Sequence, residues 1–184
     1  MKLGIIGCGA IGTDVALAAE NFSEIETIFL HDVDKKAEKK LASQLSKGEA
    51  LESNDLLKKA DVVFEAASQE AVKMYALDVL KQGKDIIIMS IGSLFDDDFR
   101  KKLEDTARKH HSKLFLPSGA VCGIDGILSA SGDTIDKVTL VTTKPPKALG
   151  KEYKKRTVVF NGTAREAVQK FPKNINVAAN LSIA

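Results

Sequence analysis

Short, largely apolar runs alternate with amphipathic stretches along the first two thirds of the chain. In the stretches 69–82 and 96–111, apolar residues recur at the spacing of a helix that buries one face. The run of aspartates that begins at Asp96 is expected to cap the second of these helices. The runs between such stretches are typical of strands covered on both faces. They occupy 3–6, 26–31, 62–66, 85–89 and 113–116. This alternation predicts an α/β fold built on a Rossmann-type doubly wound parallel sheet.

The pattern changes after Pro117. Residues 137–144 alternate between polar and apolar side chains, which predicts a half-exposed strand, and 157–161 predicts another strand. Glycines crowd the start of this region, and a helix is expected over 123–130. Thr163 stands where an N-cap would begin a further helix. The second region is therefore expected to be a smaller α+β domain.

A glycine-rich loop, Gly-Cys-Gly-Ala-Ile-Gly, occupies residues 7–12, directly after the first apolar run and before a helix predicted over 13–21. In such a loop the first glycine allows a tight turn and the second lets a pyrophosphate approach the backbone. The third lets helix and strand pack closely. We predict cofactor contacts from Gly7, Gly9, Ala10, Ile11 and Gly12.

Asp32 ends the second predicted strand, about twenty residues after the last glycine of the loop. A carboxylate at this position can accept hydrogen bonds from the hydroxyls of an adenosine ribose. It would also repel a 2′-phosphate. The loop and the acid together predict NAD as the cofactor, and they leave NADP open as a second one.

Two later strands end in small or hydroxyl-bearing residues, at the edge where open α/β sheets bind ligands. Ala66 and Ser68 follow one strand, and Ser90 and Gly92 follow the next. We expect all four to contact the cofactor. Ser68 also stands directly before a predicted helix, where it can act as the N-cap, and the two roles can coexist.

The most unusual stretch is 117–126, whose glycines and small side chains suggest backbone pressed against a ligand or a hinge. Ser118 in this stretch is a candidate substrate contact. Lys144 could bind a substrate carboxylate or belong to a rigid surface turn. Asn174 or Asn176 could cap the helix that follows or bind the nicotinamide carboxamide, and Asn174 is also a candidate substrate contact. Cys122 has no candidate base placed near it by the sequence, so a thiol nucleophile is not favoured.

These observations divide the chain into a dinucleotide-binding domain over 1–117 and a domain for substrate and dimer contacts over 118–184. An apolar helix begins at Asn176 and stops at Ala184 without a terminating signal. We therefore expect the second domain to be incomplete at its C-terminus.

Composition excludes several other classes of protein. The 27 basic and 25 acidic residues give a net charge of +2, so no electrostatic case for nucleic acid exists. The two cysteines and three histidines show no metal-ligand spacing, so no metal site is expected. No apolar run approaches the roughly twenty residues that cross a bilayer. The cysteine usage favours a reducing cytoplasm.

Taken together, the motifs resemble those of the L-aspartate dehydrogenases, over essentially the whole chain. They lie at 7–12, 63–72, 89–93, 117–126, 144–146, 164–168 and 171–179. The resemblance implies oxidative deamination of L-aspartate to iminosuccinate, then oxaloacetate and ammonia, feeding NAD biosynthesis. It also implies NAD contacts from Ala120 and Asn176, a homodimer, and an active-site histidine positioned beyond Ala184.

The sequence leaves alternatives open. Enzymes similar to homoserine dehydrogenase or dihydrodipicolinate reductase share a Rossmann half followed by an α+β domain, so the fold does not separate them. No histidine of this chain maps onto the family's active-site histidine, which keeps a non-catalytic NAD-binding regulatory module in view. The expected enzyme has a small-molecule substrate and neither a nucleic-acid nor a membrane partner.

Overall fold

The computed structural model describes residues 1–119, 121, 123–130, 132, 134–146, 153, 155–171 and 176–183. The chain divides into two compact units, Met1–Gly119 and Ala120–Ala184.

The first unit is built on a sheet of six parallel strands in the order β3-β2-β1-β4-β5-β6. The strands β1 to β6 are Lys2–Ile6, Thr27–His31, Gly48–Ala50, Val62–Glu65, Asp85–Ile88 and Leu114–Phe115. The order reverses between β1 and β4, as in a doubly wound sheet. The predicted Rossmann-type fold is confirmed.

Helices cover both faces of this sheet. They are α1 (Ala10–Ala19), α2 (Lys35–Ala42), α3 (Ser53–Lys59), α4 (Gln69–Lys81), a 3₁₀ helix (Ile91–Phe95) and α5 (Asp97–His110). Ile5 of β1 packs in one cluster with Ala16 of α1 and Leu41 of α2. On the opposite face Gly4 lies against Leu56 of α3, since a Cβ on this glycine would be 2.7 Å from the leucine side chain. Because successive strand residues point to opposite faces, α1 and α2 cover one side and α3 the other.

Four elements of the first unit were not predicted, namely α2, β3, α3 and the 3₁₀ helix, and one element begins earlier than expected. β3 and α3 carry no long apolar run or helical repeat, so the sequence pattern does not reveal them. The first helix was expected over 13–21 but begins at Ala10. It starts inside the glycine loop because Gly9 serves as its N-cap and Gly12 already lies in its first turn.

Side-chain caps begin several helices where the sequence suggested them. Ser68 accepts a hydrogen bond from the Ala71 N–H at 3.2 Å and caps α4. Asp96 accepts one from the Phe99 N–H at 3.0 Å and caps α5. His111 adopts the left-handed conformation, with φ at 55°, and ends α5.

The described part of the second unit contains α6 (Ile124–Ala130), α7 (Ala164–Lys170) and α8 (Asn176–Ile183). Thr163 and Glu166 form a capping box at the start of α7, as the sequence predicted for Thr163. α7 packs against α8. Phe160 precedes α7 and Phe171 follows it. Their rings contact each other edge to face, with centroids 5.9 Å apart.

The strands expected at 137–144 and 157–161 do not form in this structure, although both segments are among the described residues. Val141 is 75% exposed and Val158 is 82% exposed. A period-two pattern becomes a strand only when a neighbouring strand satisfies its backbone groups and covers its apolar face. The pattern alone does not supply that partner.

We expect Gly12→Ala to lower the free energy of unfolding by about 1–3 kcal/mol, the usual cost of overpacking. The new Cβ would overlap the carbonyl oxygen of Gly7, which is backbone and cannot rotate away. The better helix propensity of alanine offsets only about 1 kcal/mol. Urea denaturation followed by circular dichroism measures the difference.

Gly9→Ser is the matched control for this prediction. A Cβ on Gly9 meets no protein atom within 4 Å, and its φ of −74° suits any residue. Serine is also a preferred N-cap. We therefore expect no loss of stability for this variant. Equal stabilities for Gly12→Ala and Gly9→Ser would contradict the proposed close approach of α1 to the loop.

Candidate functional site

The strand order places one crevice at the carboxyl edge of the sheet. From β1 the chain winds outward to β2 and β3, and from β4 it winds the other way to β5 and β6. In open α/β sheets, ligands bind outside the carboxyl ends of the strands at the point where the order reverses. The turns after β1, β2, β4 and β5 therefore border the candidate site.

The glycine loop after β1 lies directly against the turn after β4. Gly7 has a φ of +103°, which favours glycine, and a Cβ on it would be 2.7 Å from backbone atoms of Ala66 and Ala67. Its N–H donates to the carbonyl oxygen of His31 at the end of β2, at 2.8 Å. The loop therefore joins the two halves of the sheet at the reversal point.

The N-terminus of α1 is arranged to receive an anion. It has no side-chain cap and no acidic residue in its first turn. Gly9, Ala10 and Ile11 are exposed there, and the position of a Cβ on Gly9 is open space. The N–H groups and dipole of a helix start favour a phosphate. This arrangement could receive the pyrophosphate of a dinucleotide, and the contacts of these residues with a cofactor stay predictions.

Asp32 is held in place by the backbone around it. Its Oδ2 accepts the N–H of Cys8 at 2.7 Å, and its Oδ1 accepts the N–H of Asp34 at 2.8 Å. A carboxylate offers about four lone-pair sites, so each oxygen retains capacity for a further donor such as a ribose hydroxyl. The structure thus brings Asp32 to the glycine loop, where the spacing predicted it.

Glu38 of α2 supports Asp32 and was not singled out from the sequence. Its side chain is buried, and its Oε2 accepts the backbone N–H of Asp32 at 2.8 Å and the Nζ of Lys35 at 3.0 Å. The same oxygen lies 3.5 Å from Nδ1 of His31. The available sequence signal is an acid on the inner face of a helix that is otherwise rich in lysine. The sequence does not show that Glu38 accepts the N–H of Asp32, because this contact depends on how α2 packs against the end of β2.

Cys8 is a small buried residue of the glycine loop and not a reactive thiol. Burial raises its pKa to about 12, and the negative charges of Asp32 and Glu38 act in the same direction. The thiolate is the nucleophilic form of cysteine. Cys8 therefore remains protonated at neutral pH and serves as a small spacer in the loop.

Glu65 at the end of β4 is the second buried acid of this edge, only 1% exposed. Its Oε1 accepts the N–H groups of Ala67 at 2.8 Å and Ser68 at 3.0 Å, and the hydroxyl of Ser90 at 2.8 Å. Its Oε2 accepts the N–H of Ser90 at 3.1 Å. Burial raises the pKa of Glu65, although these hydrogen bonds act against the rise. The sequence placed this glutamate at a strand end but assigned it no role.

The other predicted contacts fall at distinct places. Ser68 caps α4, Ser90 bonds to Glu65, and Gly92 is buried in the 3₁₀ helix. Ala66 lies half-buried beside Gly7. These four border the reversal point, and their contacts with a cofactor stay predictions.

The remaining candidates lie in or near the second unit. Ser118 is exposed, Lys144 is half-buried and Asn176 is the first residue of α8. Their predicted ligand contacts also stay predictions. Ala120, Cys122 and Asn174 lie outside the described residues.

Two absences hold for the described part of the chain. Within it, no group of three or more His, Cys, Asp or Glu side chains could hold a metal ion. Its helices include none that is long and apolar enough to cross a membrane.

We expect burial of Glu65 to make stability depend on pH in a defined direction. Because its pKa is raised above the ordinary value of 4.5, the folded protein binds the proton more tightly than the unfolded chain. The associated stability is full below pH 4.5 and is lost as pH rises through the raised pKa. The loss amounts to about 1.4 kcal/mol for each unit of pKa shift.

Glu65→Gln removes this titration. The difference in unfolding free energy between the variant and the unaltered chain should therefore shift in favour of the variant as pH rises above 4.5. Urea denaturation of both proteins across that range measures the difference. A difference that does not change with pH would show that Glu65 titrates as an ordinary carboxyl.

Two family models match the chain. Residues 7–117 match the homoserine dehydrogenase NAD-binding domain. Residues 125–184 match the aspartate dehydrogenase C-terminal domain. The first match covers the glycine loop, Asp32 and the turns after β4 and β5.

Similar proteins extend over the whole chain. An L-aspartate dehydrogenase of Methanothermobacter thermautotrophicus is 40% identical over 100% of this chain and 72% of its own length. One of Methanosarcina acetivorans is 40% identical over 100% of this chain and 73% of its length. The crystal structure of aspartate dehydrogenase from Thermotoga maritima superposes with a TM-score of 0.75 at 32% identity, covering 100% of this chain and 73% of that one.

A more distant structure shares the fold alone. UDP-N-acetylglucosamine 3-dehydrogenase from Acidithiobacillus ferrooxidans has a TM-score of 0.58 at 21% identity and covers 71% of this chain and 43% of its own. The near relatives, by contrast, match both the cofactor-binding half and the half that follows it. On this evidence the chain belongs to the L-aspartate dehydrogenase family.

Proposed function

We propose that this protein is an NAD-dependent L-aspartate dehydrogenase, which oxidises L-aspartate to iminosuccinate. One observation carries the choice of substrate: residues 125–184 match the C-terminal model of aspartate dehydrogenases. The cofactor-binding half matches a model named for homoserine dehydrogenase, so that half does not distinguish the two substrates. The relatives at 40% identity over the whole chain favour aspartate as well.

The crevice at the carboxyl edge supports binding of the adenosine half of NAD beside β1 and β2. In this proposal the N–H groups at the start of α1 hold the pyrophosphate, and Asp32 accepts the ribose hydroxyls. Val33, which is 93% exposed directly after Asp32, offers an apolar surface to the adenine ring. Since Asp32 carries negative charge at this place, we propose a preference for NAD over NADP.

The nicotinamide half would then lie along the turns after β4 and β5. Ala66, Ser68, Ser90 and Gly92 border it, and we retain Ala120 and Asn176 as further cofactor contacts. Bound there, NAD would supply the acceptor for a hydride from Cα of aspartate, and the amino group would release a proton as the imine forms. Water would then convert the imine to oxaloacetate and ammonia. The work of the protein is to orient the two reactants.

For the substrate we propose contacts from Ser118, Lys144 and Asn174. L-aspartate carries two carboxylates, and a lysine binds such a group as a point charge. Hydroxyl and amide side chains can donate the remaining hydrogen bonds.

We also propose that the protein acts as a cytoplasmic homodimer and that its product feeds pyridine nucleotide biosynthesis. A set of exposed apolar side chains in the second unit supports association: Leu128, Ile135, Val138, Leu140, Val141 and Val158. The free, buried thiol of Cys8 is in keeping with a reducing compartment.

The direct test of the proposed function follows hydride transfer from the substrate. L-aspartate deuterated at Cα should reduce NAD and carry the label into the reduced nicotinamide, as observed by mass spectrometry. L-homoserine under the same conditions should give no reduced cofactor. Reduction by homoserine and not by aspartate would contradict the proposal. NAD binding without oxidation of any amino acid, by a chain whose intact mass proves its natural length, would favour the regulatory module.

We expect Asp32→Ala to weaken NAD binding by roughly tenfold to a hundredfold, since hydrogen bonds to a charged group contribute about 1.5–3 kcal/mol. The ratio of NAD affinity to NADP affinity should also fall, which a general loosening of the loop would not cause. Loosening of the loop would weaken the binding of both cofactors equally. Loss of the carboxylate, by contrast, removes a repulsion that acts only on the 2′-phosphate of NADP. Calorimetric titration with both cofactors checks this, and an unchanged ratio would contradict the role of Asp32.

A further inference from the structure

Glu65 occupies a position in the sheet where its neighbours are apolar. It is in register with Ile6 of β1 on one side and with Ile88 of β5 on the other. Both isoleucines are buried, at 2% and 0% exposure. A carboxylate in such surroundings is costly unless it is fully hydrogen-bonded. An aliphatic side chain could be buried at this position at lower cost. The glutamate must therefore do something that an aliphatic side chain cannot do.

The carboxylate of Glu65 joins two turns that are separate along the chain. Its Oε1 accepts N–H groups of Ala67 and Ser68 in the turn after β4, at 2.8 and 3.0 Å. Ser90, in the turn after β5, donates its hydroxyl to Oε1 at 2.8 Å and its N–H to Oε2 at 3.1 Å. These two turns are thereby held at a fixed separation by one side chain.

The same contacts extend to the glycine loop. The N–H of Ala66 donates to the carbonyl oxygen of Ile6 at 2.8 Å, and Gly7 packs against Ala66 and Ala67. The N–H of Met89 donates to the backbone carbonyl oxygen of Glu65 at 3.0 Å. Glu65 therefore lies at the junction of the turns after β1, β4 and β5.

The two buried acids serve opposite halves of the crevice. Glu38 supports Asp32 beside β2, where the adenosine ribose is expected. Glu65 supports the turns after β4 and β5, across the point where the strand order reverses. A dinucleotide lies across this point, so the second pair of turns faces the nicotinamide half.

We propose that Glu65 is a positioning residue for the nicotinamide half of the cofactor: its buried carboxylate sets the separation of the turns after β4 and β5. This inference rests on the proposed NAD-binding function. Glu65 does not touch the ligand, since it is only 1% exposed, and it acts through the backbone of Ser68 and Ser90.

Glutamine at position 65 tests this link with a minimal change in shape. If the amide oxygen takes the place of Oε1, the amide NH₂ faces the N–H of Ser90, and two donors oppose each other. If the amide is reversed, its NH₂ faces the donors of Ala67, Ser68 and the Ser90 hydroxyl. The first orientation loses the bond from the Ser90 N–H, and the second loses the bonds from the N–H groups of Ala67 and Ser68. The connection between the two turns is therefore weakened in either orientation.

The experiment compares NAD with ADP-ribose, which lacks the nicotinamide, by calorimetric titration at neutral pH. Glu65→Gln should weaken NAD binding roughly fivefold or more, the effect of losing one or more net hydrogen bonds, and change ADP-ribose binding by less than about twofold. The increase in NADH fluorescence on binding should fall in parallel, because it reports ordering of the nicotinamide.

Two further variants make the result specific. Glu38→Gln should weaken NAD and ADP-ribose alike, because both contain the adenosine ribose. Glu104→Gln on α5, whose side chain is 50% exposed, makes the same change of charge and should leave both affinities unaltered.

Each outcome bears on the proposal. Loss of affinity for NAD alone in Glu65→Gln supports the positioning role. Equal weakening of NAD and ADP-ribose in that variant would mean that Glu65 is only structural and would overturn it, as would unchanged affinities for both. If the unaltered chain bound neither ligand, the proposed function would fail, and the inference would fail with it.

Discussion

The carboxyl edge of the sheet depends on how closely the backbone of the glycine loop approaches its neighbours. Gly12 of α1 packs directly against the carbonyl oxygen of Gly7. Gly7 in turn packs against the backbone of the turn after β4. Both contacts leave no room for a Cβ, so helix, loop and turn pack at backbone distance. Because backbone atoms cannot rotate away as side chains can, the start of α1 and the β4 turn stay in a fixed relation. A site for an extended ligand needs such a relation.

Two buried carboxylates extend this rigidity to either side of the loop. Glu38 accepts the backbone N–H of Asp32, and Glu65 accepts N–H groups from two successive turns. Burying a charge is unfavourable by itself, and the hydrogen bonds to each group offset that cost. The raised pKa of Glu65 shows that burial still outweighs its four donors. This chain thus carries acids that hold backbone in addition to Asp32, the acid predicted to bind the ribose.

Prediction from sequence succeeded where a local pattern was sufficient. Runs of apolar residues indicated all the strands of the first unit except β3, which is only three residues long. The caps at Ser68, Asp96 and Thr163 were visible because a capping residue acts on its own helix. The strands expected at 137–144 and 157–161 did not form, because strand formation depends on a partner that the alternating pattern does not identify.

The amino-acid sequence by itself determined the fold class, the NAD-binding half and the family, because these depend on glycines, apolar runs and motifs that are contiguous in the chain. Only the tertiary structure decided which acids support the site. Cys8 and Asp32 are 24 residues apart in sequence, and Glu65 and Ser90 are 25 apart. Those hydrogen bonds form only when parallel strands pair and bring their carboxyl ends to one edge, so no local pattern could have revealed them.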